Sequence, residues 1–389
     1  MNFSKTIVAA SVAAVCINTA FAADQKKMVE KPAVPTLGQV MEATGISVNG
    51  YIDASYTYNS GNATYRIFDT ERRSFNVNAL DLTLSALPPE GFGGMVNLTA
   101  GSDAKVIGSV GTTTTDEFDV TQAYVHFAKG NLMVIGGKYV TLSGAEVIKS
   151  PSNTNFSRSI LFGYAIPFAH TGVRAYFTPG GSAVSPDGKW TFIAGLNNGW
   201  DVQSESLQQA AADGSKAISK TLELGANGNL TKAISLAAAY YSGKESCGST
   251  ASCGIPTSGD RKLLDLVATI SVTDNLSFVL NYDKAEQEKA TATRGTAKWN
   301  GLAAYANYKI SDPWRVSFRT ESFDDKNGFR TGTTQKLKEN TLTLAHIPAK
   351  NVELRAEYRK DKSDQAVFTE NGSTKKSQDS LGLEAIYKF

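Results

Sequence analysis

An alternation of apolar and polar side chains recurs along most of this sequence and limits what the chain can become. Between residues 46 and 58 the apolar residues occupy one face of an extended chain, whereas Tyr51, Asp53 and Thr57 occupy the other. Successive side chains of a strand point to opposite faces, so the pattern predicts strands with one face in an apolar medium. We count roughly 16 such runs, within a range of about 14 to 18 because their ends are uncertain.

The connections between these runs alternate in length. Short ones such as NLTKA, SDP and PAKN alternate with long ones such as 102–117 and 143–169, although 178–188 is long for its side. Strands that face lipid cannot leave backbone groups unpaired, so their sheet must close without an edge. We predict an all-β fold, a transmembrane antiparallel up-and-down β-barrel with short periplasmic turns and long extracellular loops. A secreted sandwich would also alternate, but its turns would be uniformly short.

The N-terminus has the pattern of an export signal. Lys5 precedes a short apolar run, and Ala20-Phe21-Ala22 forms a small-x-small cleavage site. We therefore predict a signal peptide over 1–22, a periplasmic segment with a short helix over 23–45, and a barrel over 46–389. This organisation predicts the cell outer membrane of a Gram-negative bacterium as the destination.

Removal of the signal leaves two cysteines, Cys247 and Cys253, in the segment CGSTASC. An even pair in an oxidising compartment predicts a disulfide, here a clip within one loop. A metal site is the weaker alternative, because the sequence nearby offers no further ligands.

Composition argues against several other classes of function. The 39 Lys and Arg residues nearly balance the 37 Asp and Glu residues, which disfavours a nucleic-acid partner. His126, His170 and His346 lie on different predicted strands, and none belongs to a hydrolase or metalloprotease motif. We therefore predict no enzymatic activity, no cofactor and no metal.

A barrel of about 16 strands encloses an aqueous channel, so its inward charges are candidate pore residues. They carry both signs and include Asp53, Glu357, Lys138, Arg174, Arg315, Arg319, Arg355 and Arg359. The mixture predicts no strong preference for anions or cations. An equally favoured interpretation is that the four arginines between 315 and 359 form ion pairs that only solvate the wall of the barrel.

The long connection 143–169 is the candidate constriction loop. Its charged residues are Glu146, Lys149 and Arg158. Several large apolar side chains follow, and leaving them in water would be costly, so we expect the loop to fold into the barrel. That arrangement would place Arg158 in the channel near Lys138 and Arg174. An external cap or a subunit contact is the alternative.

Aromatic residues mark the expected membrane interfaces and the end of the chain. Trp299, Trp314, Tyr56, Tyr58, Tyr308 and Tyr387 lie near predicted strand ends, as an interfacial girdle requires. The last run alternates through Tyr387 to a terminal Phe389. Outer-membrane proteins resemble one another in this ending, which implies recognition by the barrel-assembly machinery.

Residues 141–174, TLSGAEVIKSPSNTNFSRSILFGYAIPFAHTGVR, followed by NNGWD at 197–201, resemble the OmpL-like β-barrel porin family. Upstream, FNVNALDLTLSALPPEGFGGMVNLTAG resembles the second hairpin of the family and SVNGYIDASYTYN its first strand. The resemblance covers the mature chain and is densest between 124 and 201. It implies an outer-membrane pore.

We therefore expect a passive diffusion channel for small hydrophilic solutes, with weak or mixed charge selectivity. The alternative is a structural or adhesin barrel whose long loops bind a partner. The expected partners are outer-membrane lipid and lipopolysaccharide, the assembly machinery, and two further copies of the chain in a homotrimer.

Overall fold

The computed structural model describes residues 37–108, 116–204, 220–246 and 258–389. Sixteen strands close into an antiparallel barrel in which each strand pairs with its neighbours along the chain. They are β1 Ser47–Asn59, β2 Arg73–Ala86, β3 Gly91–Ala100, β4 Phe118–Lys129, β5 Leu132–Val140, β6 Ala169–Phe177, β7 Thr191–Asn197, β8 Thr221–Asn229, β9 Ile234–Ser246, β10 Ser258–Ser271, β11 Leu276–Gln287, β12 Ala297–Ser311, β13 Trp314–Asp325, β14 Gln335–Ala349, β15 Val352–Ser363 and, after a small hairpin of β16 Phe368–Glu370 and β17 Ser373–Lys375, β18 Ser377–Lys388. The predicted all-β barrel is confirmed.

Helical structure is sparse in the described residues. The helical segments are α1 Leu37–Thr44, α2 Ala104–Ile107, a 3-10 turn Ser150–Ser152 and a π-helical turn Leu161–Ala165. None of these described helices has the length and apolar character needed to cross a membrane. By compactness the chain divides into Met1–Val40 and Met41–Phe389, and the barrel belongs to the second unit.

The barrel closes where β1 pairs with β18. The register runs from Tyr51 opposite Lys388 to Asn59 opposite Ser380. At the end of this seam, Gly50 and Phe389 exchange two backbone hydrogen bonds of 2.9 Å each. Closure leaves the sheet without an unpaired edge, as a sheet surrounded by lipid requires.

Most strands have a polar inner face and an apolar outer face. In β1, Asp53 is 0% exposed and its neighbour Ile52 is 43% exposed. In β14, Thr343 is 0% exposed and Leu342 is 51% exposed. The outward side chains therefore form an apolar band, and the two-residue period read from the sequence describes this arrangement.

The two ends of the barrel differ in the length of their connections. One end has the short turns 87–90, 130–131, 230–233, 272–275, 312–313 and 350–351, together with the longer 178–190. At the other end the strands are separated by the longer intervals 60–72, 101–117, 141–168, 198–220, 247–257, 288–296, 326–334 and 364–376. Of these, residues 109–115, 205–219 and 247–257 lie outside the described part of the chain.

One of the expected girdle residues has a different position. Trp314, Tyr308 and Tyr387 are 39%, 46% and 46% exposed on the outer surface. Trp299 is 0% exposed, and its indole N–H donates to the carbonyl of Ala165 inside the barrel at 3.1 Å. Its assignment to the girdle was wrong, because proximity to a strand end does not determine which face a side chain occupies.

Candidate functional site

The loop 141–168 lies inside the barrel. The phenol oxygen of Tyr241 on β9 accepts the amide of Leu142 at 2.9 Å, and Asp265 on β10 accepts the amide of Gly144 at 3.1 Å. On β2, Asp81 accepts from Lys149 at 3.0 Å. Only a segment within the lumen can reach the inner faces of strands on opposite sides of a barrel.

Carboxylates of the wall bind backbone amides of the loop in pairs. The two oxygens of Glu357 on β15 accept the successive amides of residues 156–157 at 2.8 and 3.0 Å. Those of Glu321 on β13 accept the amides of residues 160–161 at 2.6 and 3.0 Å. These residues of the loop are buried, and the four bonds give their N–H groups the partners that buried amides need, which fixes the path of the loop.

Arginines of the wall bind the carbonyl groups of the same loop. Arg355 donates to the carbonyl of Asn153 at 2.8 Å, and Arg319 donates to that of Ser157 at 2.6 Å. Arg359 donates to the carbonyl of Arg158 at 2.5 Å. The wall therefore recognises the loop through its backbone, with acids on N–H groups and arginines on C=O groups.

The same arginines are neutralised by neighbouring carboxylates. The closest ion-pair distances are Arg319–Glu146 2.7 Å, Arg319–Glu339 3.0 Å, Arg355–Glu353 2.7 Å, Arg355–Glu384 2.9 Å, Arg359–Asp361 2.8 Å and Arg315–Glu353 2.6 Å. Of the four arginines, only the side chain of Arg315 is appreciably exposed, at 22%. The basic wall expected from the sequence is thus paired with acids and largely covered by the loop.

The charged residues of the loop have three different environments. Arg158 is 2% exposed, and its guanidinium donates to the carbonyls of residues 147–148 at 2.9 and 2.7 Å and of Phe156 at 2.7 Å. Glu146 accepts from Arg319 at 2.7 Å and from the amide of Ser159 at 2.6 Å. Lys149, bound to Asp81, keeps 32% of its side chain exposed. Arg158 therefore joins two limbs of the loop and does not present its charge to open space.

The remaining expected pore residues belong to other groups of contacts. Lys138 on β5 pairs with Asp119 on β4 at 3.1 Å. Arg174 on β6 pairs with Glu223 on β8 at 2.7 Å. Asp53 on β1 is fully buried and accepts a long hydrogen bond of 3.4 Å from the Asn78 side chain.

Glycines of the wall provide recesses for the apolar side chains of the loop. A Cβ atom on Gly382 of β18 would lie 2.6 Å from the ring of Phe156. A Cβ atom on Gly301 of β12 would lie 2.6 Å from the side chain of Leu161. These distances are too short for a real contact, so the two positions exclude larger residues while the loop is docked.

Three further loops pack on the constriction segment. Phe68 of loop 60–72 packs against Phe162 with ring centroids 6.1 Å apart. Asp201 of loop 198–220 accepts a hydrogen bond from the backbone amide of Phe168 at 2.6 Å. Arg330 of loop 326–334 donates to the carbonyl of Tyr164 at 2.5 Å, and burial, with Arg261 nearby, lowers the pKa of Arg330 to about 10. The sequence reasoning did not anticipate these contacts.

A buried acid lies at the beginning of α2. Asp103 in loop 101–117 is 3% exposed, and one of its carboxylate oxygens has no hydrogen-bond partner among the described residues. Burial raises the pKa of Asp103 to about 8, against the opposing effect of Arg158. Since the ordinary value is 3.8, the carboxyl is mostly protonated at neutral pH.

A cavity of about 310 Å³ separates the loop from β3, β4 and the end of β5. Its polar wall includes Asn97, Thr121 and Gln122, which the sequence reasoning did not select. They are neutral side chains on the inward face. Only their place in the alternation of polar and apolar residues could have indicated them in the sequence.

Two other expectations concern the termini and the cysteines. Cys247 and Cys253 lie outside the described residues, as does the segment 1–22. Tyr387 and Phe389 are about half exposed at 46% and 52%, at the end of the barrel with the short turns.

Comparison with known proteins gives a match over the whole barrel. A family model described as "Putative beta-barrel porin-2, OmpL-like" matches residues 45–389. No curated protein matches the chain in sequence.

Solved structures with a similar fold include three outer-membrane proteins. The anion-selective porin from Comamonas acidovorans is 13% identical, with 88% of this chain and 99% of that chain covered and a TM-score of 0.63. The outer membrane channel DcaP of Acinetobacter baumannii is 12% identical, with 88% and 97% covered and a TM-score of 0.61. OmpT of Vibrio cholerae in a trimer form is 11% identical, with 88% and 99% covered and a TM-score of 0.58. At such identities the likeness concerns the fold.

Proposed function

The chain belongs to this family of OmpL-like β-barrel porins, and from that membership we propose a passive diffusion channel for small hydrophilic solutes in the outer membrane. The observation that carries the proposal is a closed 16-strand barrel with a polar inner face, narrowed by the loop 141–168. Barrels of this size hold water, and an inward loop sets which solutes pass. We propose transport without catalysis.

Charge selectivity is proposed to be weak or mixed. Arg319, Arg355 and Arg359 support this, because each is buried and paired with carboxylates. Paired charges produce a weaker field in the lumen than free ones. Lys149, with about a third of its side chain exposed, is the loop charge best placed to influence ions.

Planar bilayers test the proposal directly. Purified protein should give stable, stepwise conductance, and the reversal potential in a salt gradient should lie close to zero. A bilayer that stays sealed at every voltage would contradict the channel and favour the structural or adhesin barrel. Slower migration of the boiled protein on a gel checks that the sample is a folded barrel.

For topology, we propose a cleaved signal over 1–22, a periplasmic segment over 23–45 and long loops outside the cell. Short turns on the periplasmic side are the rule for outer-membrane barrels, which supports this orientation. Tyr387 and Phe389 would serve the assembly machinery. Cys247 and Cys253 would form the disulfide of loop 247–257, which mass spectrometry of the unreduced protein tests.

A rim of lysines supports a lipid partner. On the outer surface next to the long loops lie half-buried Lys262 and five exposed lysines, which are Lys284, Lys298, Lys336, Lys338 and Lys362. Their position just beyond the apolar band suits the phosphate groups of lipopolysaccharide, which a lysine binds as a point charge. We also propose a homotrimer, which the trimer form of the similar Vibrio cholerae structure supports. Mass measurement in detergent tests the oligomer.

A further inference from the structure

The cavity between the loop and β3–β5 has the size of a small-molecule site. Its volume of about 310 Å³ lies at the lower end of the range of ligand pockets. None of the loop-to-wall hydrogen bonds described above reaches β3 or β4, so the loop stands away from the wall on this side. A solute that passes the loop here contacts both surfaces.

The loop provides the apolar surface of the cavity. The rings of Phe162 and Phe168 lie side by side, with centroids 5.1 Å apart and planes inclined by 30°. Leu142 and Ile148 extend this surface. Burial of the flat C–H face of a ring compound on this surface is favourable, whereas a fully solvated ion would bury no apolar area there.

The facing wall provides neutral hydrogen-bonding groups. The amide nitrogen of Asn97 donates to Asp81 at 2.9 Å and to Thr83 at 3.0 Å, while its oxygen has no partner among the described residues. The hydroxyl of Ser143, at the start of the loop, is likewise buried without a partner in that part of the chain. A buried polar group without a partner is uncommon and favours a ligand that completes it.

The charges that line the cavity are already neutralised. Both carboxylate oxygens of Glu146 accept hydrogen bonds, one of them from Arg319. Lys149 binds Asp81 and the hydroxyl of Thr83. A charged solute would lose water here without gaining a free counter-charge, which is unfavourable.

We propose that this cavity binds neutral, hydroxylated ring solutes of sugar size during their passage. The ring face lies on Phe162 and Phe168, one solute hydroxyl donates to the free oxygen of Asn97, and another pairs with the hydroxyl of Ser143. This assignment of a solute class rests on the proposed channel function.

The test measures how solutes reduce the ion current through single channels. Glucose, glucuronate and glucosamine share a pyranose ring and differ in charge, so their half-blocking concentrations can be compared directly. Glucose should block at about one-tenth of the concentration that either charged compound needs, because only the charged compounds lose hydration without compensation.

Ser143→Ala removes one of the two polar groups that lack a partner. The substitution breaks no hydrogen bond within the described residues, because the Ser143 hydroxyl makes none there. The half-blocking concentration of glucose should rise about fivefold, as expected for one lost hydrogen bond. Ser317→Ala is the matched control, because Ser317 on β13 is also buried with a partnerless hydroxyl and does not line the cavity. It should leave the block unchanged.

The outcomes separate the two proposals. Conductance that glucose does not reduce, or that charged compounds reduce equally well, overturns the solute class and leaves the channel. An equal effect of the two serine variants also overturns it. A sealed bilayer with folded protein overturns both.

Discussion

The inside of the barrel has two unlike halves. Along β9–β15 the wall binds the loop 141–168 with carboxylates such as Glu357 on its amides and arginines such as Arg355 on its carbonyls. Along β3–β5 a cavity separates the loop from neutral side chains such as Asn97. The difference shows that an inward charge in a barrel can serve to hold a loop, and that the surface available to a solute can be the uncharged one.

We expect the largest effect from Arg319→Met, in the part of the wall along β9–β15 that binds the loop. It leaves Glu339 and Glu146 buried with one partner fewer, which we expect to cost about 3–5 kcal/mol of stability. The temperature at which the folded gel band disappears should fall accordingly. Arg315→Met is the control, because the side chain of Arg315 is 22% exposed and its partner Glu353 keeps Arg355. An equal loss in both variants would contradict a specific role of the buried Arg319 in holding the loop.

Gly382→Ala tests the docking of the loop at a single point. The added methyl would lie 2.6 Å from the ring of Phe156, so the ring must move, at a cost of about 1–3 kcal/mol. We expect higher single-channel conductance and a lower melting temperature. Gly136→Ala adds the same methyl 3.9 Å from the side chain of Val173 and should change neither measurement.

The pH dependence of stability tests the role of Asp103, which lies in the loop between β3 and β4. Its pKa is raised by burial from 3.8 to about 8, so the folded state holds a proton that the unfolded state loses above pH 4. Stability should therefore fall as pH rises from about 4 to about 8, by an amount on the order of 1 kcal/mol or more. Asp103→Asn should make that part of a melting-temperature profile less steep.

Asp312→Asn is the matched control for this titration. Asp312 lies in the exposed turn 312–313, and its hydrogen bond with Lys309 lowers its pKa. Its loss should leave the decline between pH 4 and 8 in place. A decline of unchanged size in Asp103→Asn would assign the proton to another group.

We expect the smallest effects, on ion permeation, from replacing Lys149 and Arg158, the two cationic side chains of the loop. Lys149→Gln removes a partly exposed charge and should change the ratio of anion to cation permeability about twofold towards cations, since exposed charges are screened. Arg158→Gln removes a buried charge that is bound mainly to loop carbonyls, so it should raise conductance through a looser loop and move the reversal potential less. A larger shift in Arg158→Gln would place that guanidinium in the ion path.

Local pattern predicted the fold because alternation is a property of neighbouring residues. The faces of Asp53 and Ile52 follow from a period of two, and so does the polarity of the lumen. The site depends on distant residues. Nothing near Arg158 in sequence shows that its charge is directed at loop carbonyls, and nothing near Gly382 shows that Phe156 fills the recess beside it. Asn97 was missed because a neutral inward side chain resembles any other.

The loop 141–168 is held by side chains that occur much later in the chain. Glu357 is separated from the amide it binds by 201 residues, and Glu321 from its own by 161. Bringing such distant groups together is slow, because a long stretch of chain must be ordered first. The pore of a newly inserted barrel would therefore be wide at first. It would reach its final diameter only when β13 and β15, the strands that carry these two acids, have paired with their neighbours.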